Sequence, residues 1–125
     1  MSEMFQRTLT GLEPLLLPRQ ESRSVDAKPA EWQECGADGF LLKALMEDSA
    51  AGLRTWLMKV EPGAFSQLHA HAEVEQIYVL EGSFYDQQKT YRAGEYIVRA
   101  PGAMHTAGSD TGAVVLLFYS PAPQN

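Results

Sequence analysis

Residues 63–82 read GAFSQLHAHAEVEQIYVLEG and residues 94–105 read GEYIVRAPGAMH. Together they contain all 3 histidines of the chain: His69, His71 and His105. Packing alone explains poorly why every copy of a scarce residue falls in one spaced set with Glu75. Neutral imidazoles with one carboxylate are a ligand set for a divalent metal ion. In an extended strand alternate side chains share a face. His69 and His71 therefore point the same way, with Cα atoms about 6–7 Å apart, and two such imidazoles can converge on one ion at roughly 2.0–2.2 Å. Glu75 opens the next strand after a turn at 72–74, and a hairpin return would carry its carboxylate over the same face. His105 is distant in sequence, so only a closed or rolled sheet brings it to the same ion. Glu73 has the parity of Glu75 and is a rival ligand, but it falls at the turn tip, where side chains face water. Gln67 shares the inward face of the His69 strand and is a candidate for the substrate pocket, or equally a barrel-filling side chain.

Outward from this pattern the chain reads as short strands cut by glycine and proline turns. Residues 40–46 are apolar and short, and 47–52 break the run. Residues 53–60 (LRTWLMKV) suit a pleated surface. Glu61-Pro62-Gly63 is a tight turn, with proline presetting φ. Strands are expected over 65–71 and 75–80, a hairpin over 83–91 around Asp86-Gln87-Gln88, and a strand over 95–100. The run at 113–119 (AVVLLFY) is continuous rather than alternating, which suggests that both its faces are covered. With no helical period and no repeat at solenoid spacing, the pattern indicates an all-β sandwich or barrel. Residues 1–38, with prolines at 14, 18 and 29, read as an irregular arm packing on the barrel or on a partner subunit. The barrel is expected over 39–121 and a short tail over 122–125.

The bulk numbers bound the function. A chain of 125 residues favours one domain and can fold without disulfides. The formal net charge of −6 argues against nucleic acid and against an anionic membrane surface as partners. The N-terminal stretch does not read as a signal peptide, because Pro14 and Pro18 bracket its longest apolar run. Cys35 is the single cysteine, so an internal disulfide is impossible and a cytoplasmic, reducing setting is expected. With no His or second Cys near it in sequence, Cys35 reads as an idle or buried side chain. Trp56 and Tyr96 read as packing residues able to line a cavity, and Met104 as core. There is no phosphate loop of the GxxxxGK[ST] type, and no Ser/His/Asp triad is possible beyond these same histidines.

The first stretch resembles the first cupin motif at every spacing: Gly63, His69-x-His71, Glu75, Gly82. The second stretch resembles the second cupin motif from Gly94 to His105. The two motifs and their linker cover about a third of the chain. There are two departures. Proline directly precedes Gly102, and Ser109 stands where an asparagine often follows, which leaves a capping hydrogen bond in question. The resemblance implies a double-stranded β-helix, the cupin jelly-roll barrel. It also implies His69, His71, Glu75 and His105 as metal ligands, and a homodimer. More narrowly, the tracts VEPGAFSQLHAH, EQIYVLEGSFYD and YRAGEYIVRAPGAMH are similar to the cupin domains of zinc-dependent anti-sigma factors and dihydroxyacetophenone-type dioxygenases. The cysteine- and histidine-bearing N-terminal region that a full anti-sigma factor needs is not in this sequence.

Three functions follow as expectations. With iron, manganese, nickel or cobalt, octahedral geometry leaves two positions for exogenous ligands, which suits a metal-dependent dioxygenase or oxidoreductase acting on a small hydroxyketone, diketone or aromatic compound. With zinc held by four protein ligands the site is closed, which suits a non-catalytic metal or small-molecule sensor. A metal-dependent isomerase or lyase is the third. Fold does not choose among them.

Overall fold

A computed structural model describes residues 11–124; the first ten positions of the expected arm and the last position of the tail lie outside it. Among the described residues there is no helix. Nine strands run in chain order: β1 (Gln33–Glu34), β2 (Phe40–Asp48), β3 (Leu53–Val60), β4 (Phe65–His69), β5 (Val74–Tyr85), β6 (Thr90–Arg92), β7 (Tyr96–Arg99), β8 (His105–Gly108) and β9 (Ala113–Ser120). The strand pairs are antiparallel and form two facing layers of a rolled sheet. One layer runs β1-β2-β3-β9-β5, with β7 also on β5. The other pairs β4 with β8 and the end of β5 with β6 and β8.

β5 belongs to both layers. Its first half pairs with β9 and β7, while Ser83, Phe84 and Tyr85 pair with β6. The passage is made by a register shift between Val79 and Glu81 and by Gly82 at φ 73°. A bulge followed by a left-handed residue bends a strand sharply, which is how strands change sheets at a corner. The expected strand at 75–80 and hairpin arm at 83–85 are thus one bent strand.

Odd positions of β5 and β9 point inward: Ile77, Val79, Val115 and Leu117 are buried against Phe40, Val60 and Phe84. Burying such side chains stabilises the fold by about 1.5–3 kcal/mol each. β9 alternates in burial, and Phe118 on its outer face is 38% exposed. The continuous apolar run therefore does not mean two covered faces. Tyr78, Tyr96, Val98 and Phe118 share that outer face, so Tyr96 is not a cavity residue. Met104 is exposed rather than core, because it precedes the inward-facing His105 and points the other way.

Of the arm, Leu15 forms a parallel bridge with Met46 on the free edge of β2, held by two backbone hydrogen bonds of 2.9 Å. Lys43 is buried on the outer side of β2. Its ammonium donates to the carbonyl of Ala27 at 2.8 Å and lies 4.8 Å from the centre of the Trp32 ring. Ser109 is fully buried; its hydroxyl donates to the carbonyl of Ser83 at 2.5 Å and accepts from the amide of Gly112 at 2.8 Å. Serine thus supplies the capping bond that the departure from the motif left in question.

Candidate metal centre

The site sits between the layers, and strand register places each of its groups. His69 ends β4 and His105 begins β8, directly opposite one another, with ring centroids 4.2 Å apart. His71 lies beyond the end of β4, so strand alternation does not aim it. Instead its carbonyl accepts the amide of Gly102 at 2.7 Å, which ties the loop after β4 to the turn before β8. Its ring lies 5.1 Å from that of His69 and 5.6 Å from that of His105. The candidate ligand nitrogens of the three histidines lie within 4.8 Å of one another. An ion at about 2.1 Å from each would hold its donors at most about 4.2 Å apart, so small ring rotations suffice.

Glu75 does not arrive by a hairpin from β4, as expected from the sequence. β4 pairs with β8, and the first half of β5, which carries Glu75, lies in the facing layer. Its carboxylate reaches across from there, with Oε1 3.5 Å from His105 Nε2 and Oε2 3.6 Å from His71 Nε2. On its own layer Glu75 is flanked in register by Arg99 of β7 and Tyr119 of β9. Arg99 Nε donates to Oε1 at 3.1 Å and the Tyr119 hydroxyl donates to Oε2 at 2.5 Å. Arg99 continues to Asp86, donating from Nη1 to Oδ2 at 3.0 Å, where the Tyr91 hydroxyl also donates. Asp86 accepts the amides of Gln88 and Lys89 through Oδ1. A buried charge is tolerable only when paired and hydrogen-bonded, and this chain satisfies both carboxylates.

The tautomers follow from backbone contacts. Nδ1 of His69 lies 2.7 Å from the carbonyl of Gln67, and Nδ1 of His105 lies 2.9 Å from that of Thr106. A carbonyl only accepts, so each Nδ1 carries the proton and each Nε2 keeps its lone pair. His105 Nε2 is buried without a hydrogen-bond partner. Such an orphan is uncommon; the Nη2 of Arg99 is the other such atom among the described residues, and a cation held by the three imidazoles would pair the His105 nitrogen. Burial lowers the pKa of His105 and of His71; Arg99 pushes His105 further down, Arg54 does the same to His71, and Glu75 opposes both. Both rings are therefore neutral near pH 7, the form a metal binds. Burial and the adjacent Glu75 push the Tyr119 hydroxyl far above its ordinary range, so it stays protonated and donates.

The other expected residues are placed less simply. Gln67 is exposed and does not line the cavity; Ser66 does. The register shift between Ser66 and His69 reverses the alternation assumed from spacing. Glu73 is paired with Arg54 at 2.7 Å rather than turned to the histidines. Arg54 also stacks over the rings of Tyr119 and Trp56, at 4.0 and 4.3 Å. Trp56 lines the cavity, and Cys35, although exposed, lies on its wall. Sequence reasoning missed Arg99, Tyr119 and Asp86. The available signal was that two of them, Arg99 and Tyr119, are polar residues at inward positions of apolar strands.

Asp86 gives a pH-dependent test of the chain. Burial raises its pKa, but the Gln88 and Lys89 amides, Arg99 and Tyr91 together outweigh it and hold the carboxyl below its usual range. Its stabilising contribution is therefore complete above the unfolded value near ~3.9 and is lost as pH falls through the lowered folded value. Asp86→Asn is expected to destabilise by about 3 kcal/mol at pH 7. The gap in urea midpoint from the parent protein should hold from pH 7 down to about 4 and narrow below that, as pH falls towards the lowered folded value. A gap that stays constant there too would remove Asp86 from the ionic chain.

Comparison with known proteins agrees with this architecture. The model of the ChrR cupin-like domain matches residues 20–123. No curated protein sequence matches. Among solved structures, an RmlC-like cupin from Shewanella frigidimarina superposes with a TM-score of 0.71 at 24% identity, covering 83% of this chain and 95% of that one. A Methylibium petroleiphilum protein to which acetylacetone dioxygenase activity has been ascribed has a TM-score of 0.74 at 15% identity, over 85% of this chain and 81% of that one. A chain of the Rhodobacter sphaeroides complex of SigE with the anti-sigma ChrR has a TM-score of 0.61 at 22% identity. It covers 72% of this chain, which spans 49% of that one. At these identities the superpositions speak for the fold alone. From the domain model, the two motifs and the rolled sheet together, this chain belongs to the ChrR cupin-like domain family.

Proposed function

We propose that the chain is a metal-binding small-molecule cupin in which His69, His71, Glu75 and His105 hold one divalent ion: iron, manganese, nickel, cobalt or zinc. The observation that carries this is the buried, unpartnered Nε2 of His105, aimed into a cavity shared with two more imidazoles and a carboxylate. When bound, the ion acts as a Lewis acid that acidifies a coordinated hydroxyl or enol. The remaining work falls to the protein. Gln67 and Thr106 carbonyls fix two imidazoles, Arg99 and Tyr119 fix the carboxylate, and apolar walls exclude water.

The reading extends to a dioxygenase or related oxidoreductase acting on a small oxygenated compound. The second reading is a sensor with structural zinc, favoured by the closeness of the three imidazoles, with the Glu75 carboxylate near two of them, and by the ChrR-like domain match. Elemental analysis of the purified protein, with oxygen uptake on a panel of hydroxyketones and diketones, separates the two. Iron with substrate-dependent uptake supports the dioxygenase. Tightly held zinc with no uptake supports the sensor, and a protein holding no transition metal refutes both. A homodimer remains part of the proposal. The shared apolar outer face of β5, β7 and β9 offers a surface for a second copy, and sedimentation velocity reads the mass.

A further inference from the structure

β8 begins at His105, and its two edges are supported unequally. On one side β4 pairs with it, from Phe65 opposite Gly108 to His69 opposite His105. On the other side β5 pairs with it only where Tyr85 stands opposite Gly108. Beyond Tyr85 the chain leaves β8 and turns through a tip that the Asp86 amide closes on the Lys89 carbonyl at 3.0 Å. Along an antiparallel strand, residues two apart turn their amide and carbonyl groups to the same edge. Met104 and Thr106 therefore face the side where β5 has gone.

Gln87 fills that gap with its side chain. Its Oε1 accepts the Thr106 amide at 2.9 Å, and its Nε2 donates to the Met104 carbonyl at 3.1 Å. A side-chain amide carries donor and acceptor side by side, as a peptide does. It stands in for the strand residue that is missing. The two groups it grips lie one residue before and one residue after His105. Both peptide units from which that imidazole projects are thus held. The grip also reaches the ring, because the carbonyl of Thr106 takes Nδ1 of His105 at 2.9 Å. Gln87 itself has a firm mount: Asp86 Oδ1 accepts the amides of Gln88 and Lys89 at 2.8 and 3.1 Å.

The plainer reading is that these bonds only tidy a hairpin tip. They are exposed, and water can replace them with little loss of stability. Water does not replace their geometry. A bound ion needs its ligand atoms held within about 0.5 Å of the productive position, and on this edge of His105 the glutamine amide is what holds the backbone.

We propose that Gln87 is the positioning residue of His105: its side-chain amide clamps the peptides on either side of that ligand and sets where Nε2 lies. This rests on the metal-binding reading above. Asp86 holds Arg99, which holds Glu75. Two consecutive residues of one tip then govern two of the four proposed ligands by separate routes.

The test uses the full chain, with metal content of the parent protein measured first. Gln87→Met keeps the reach of the side chain and removes both bonds. Gln88→Met, at the exposed neighbouring residue, is the control. Competition against a chelator reads zinc affinity. Gln87→Met should weaken zinc binding about 10-fold or more, and Gln88→Met should leave it unchanged. The melting midpoint of the metal-free Gln87→Met protein should stay within about 6 °C of the parent. Amide exchange at Thr106 should quicken, while β5 and β9 keep their protection. Repeating Gln87→Met in the Glu75→Gln background separates the two routes. A residue acting through His105 weakens zinc by the same factor in both backgrounds. Overturning results are an undiminished affinity in Gln87→Met, an equal loss in Gln88→Met, a loss that vanishes in the Glu75→Gln background, or lost protection throughout β5 and β9. Each of these leaves the metal site standing. A parent protein that takes up no divalent metal overturns both.

Discussion

His105→Ala should strip the protein of most of its bound divalent metal. The imidazole is 3% exposed, its Nδ1 is committed to the Thr106 carbonyl, and its Nε2 has no competing partner. Changes in groups that merely orient a ligand already cost about 10–100-fold in affinity, so loss of a ligand itself should exceed about 100-fold. Competition against a chelator, with elemental analysis, measures this directly. The fold should survive, because Glu75 keeps Arg99 and Tyr119 when His105 is gone. A correctly folded variant with an undiminished metal load would move His105 out of the coordination sphere. Glu75→Gln is a milder companion. It keeps the shape and removes the anionic donor, so affinity should fall by less.

The second large effect is expected at the corner of β5. A Cβ on Gly82 would collide with the carbonyl oxygen of Gly112 and stand 2.9 Å from its carbon. The obstacle is backbone, and it is pinned: Gly112 O accepts the Ser83 amide and the Gly112 amide donates to Ser109. Neither side can yield without opening the corner where β5 changes layers. Gly82→Ala should therefore destabilise by about 4 kcal/mol or more, a size reserved for forced backbone or core disruption. Gly94 is the control. It too has positive φ, at 94°, but nothing lies within 4 Å of the point its Cβ would occupy. Gly94→Ala should incur only the left-handed backbone penalty, about 1–2 kcal/mol. Thermal unfolding of the two variants side by side decides it, and equal losses would show that the contact at Gly82 relaxes freely.

The strands were legible because their boundaries are written in glycine and proline and their inward faces in alternation. Leu53–Val60 falls where the residues place it, and the all-β architecture follows from such segments. The three histidines were legible as a set because histidine is scarce and the spacing is regular. What could not be read was anything that depends on pairing between distant strands. Parity sent Gln67 inward, but a bulge between Ser66 and His69 reversed the face, and no glycine marks that bulge in the sequence as Gly82 marks the corner of β5. Glu75 was placed near the histidines for the wrong reason, since a hairpin and a facing layer give the same proximity from different topologies. Arg99 and Tyr119 are far from Glu75 in sequence and meet it only through register. Asp86, in a turn, looked like ordinary turn chemistry until Arg99 linked it to the site.

That link has an evolutionary corollary. Hairpin tips ordinarily drift in length, since surface loops tolerate insertion better than the elements they join. The tip between β5 and β6 is denied that latitude. Its Asp86 is the remote anchor of a tether that runs through Arg99 to a carboxylate deep between the layers. An added residue there would slacken the tether and let the posture of Glu75 wander, so a peripheral bend is answerable to the middle of the barrel.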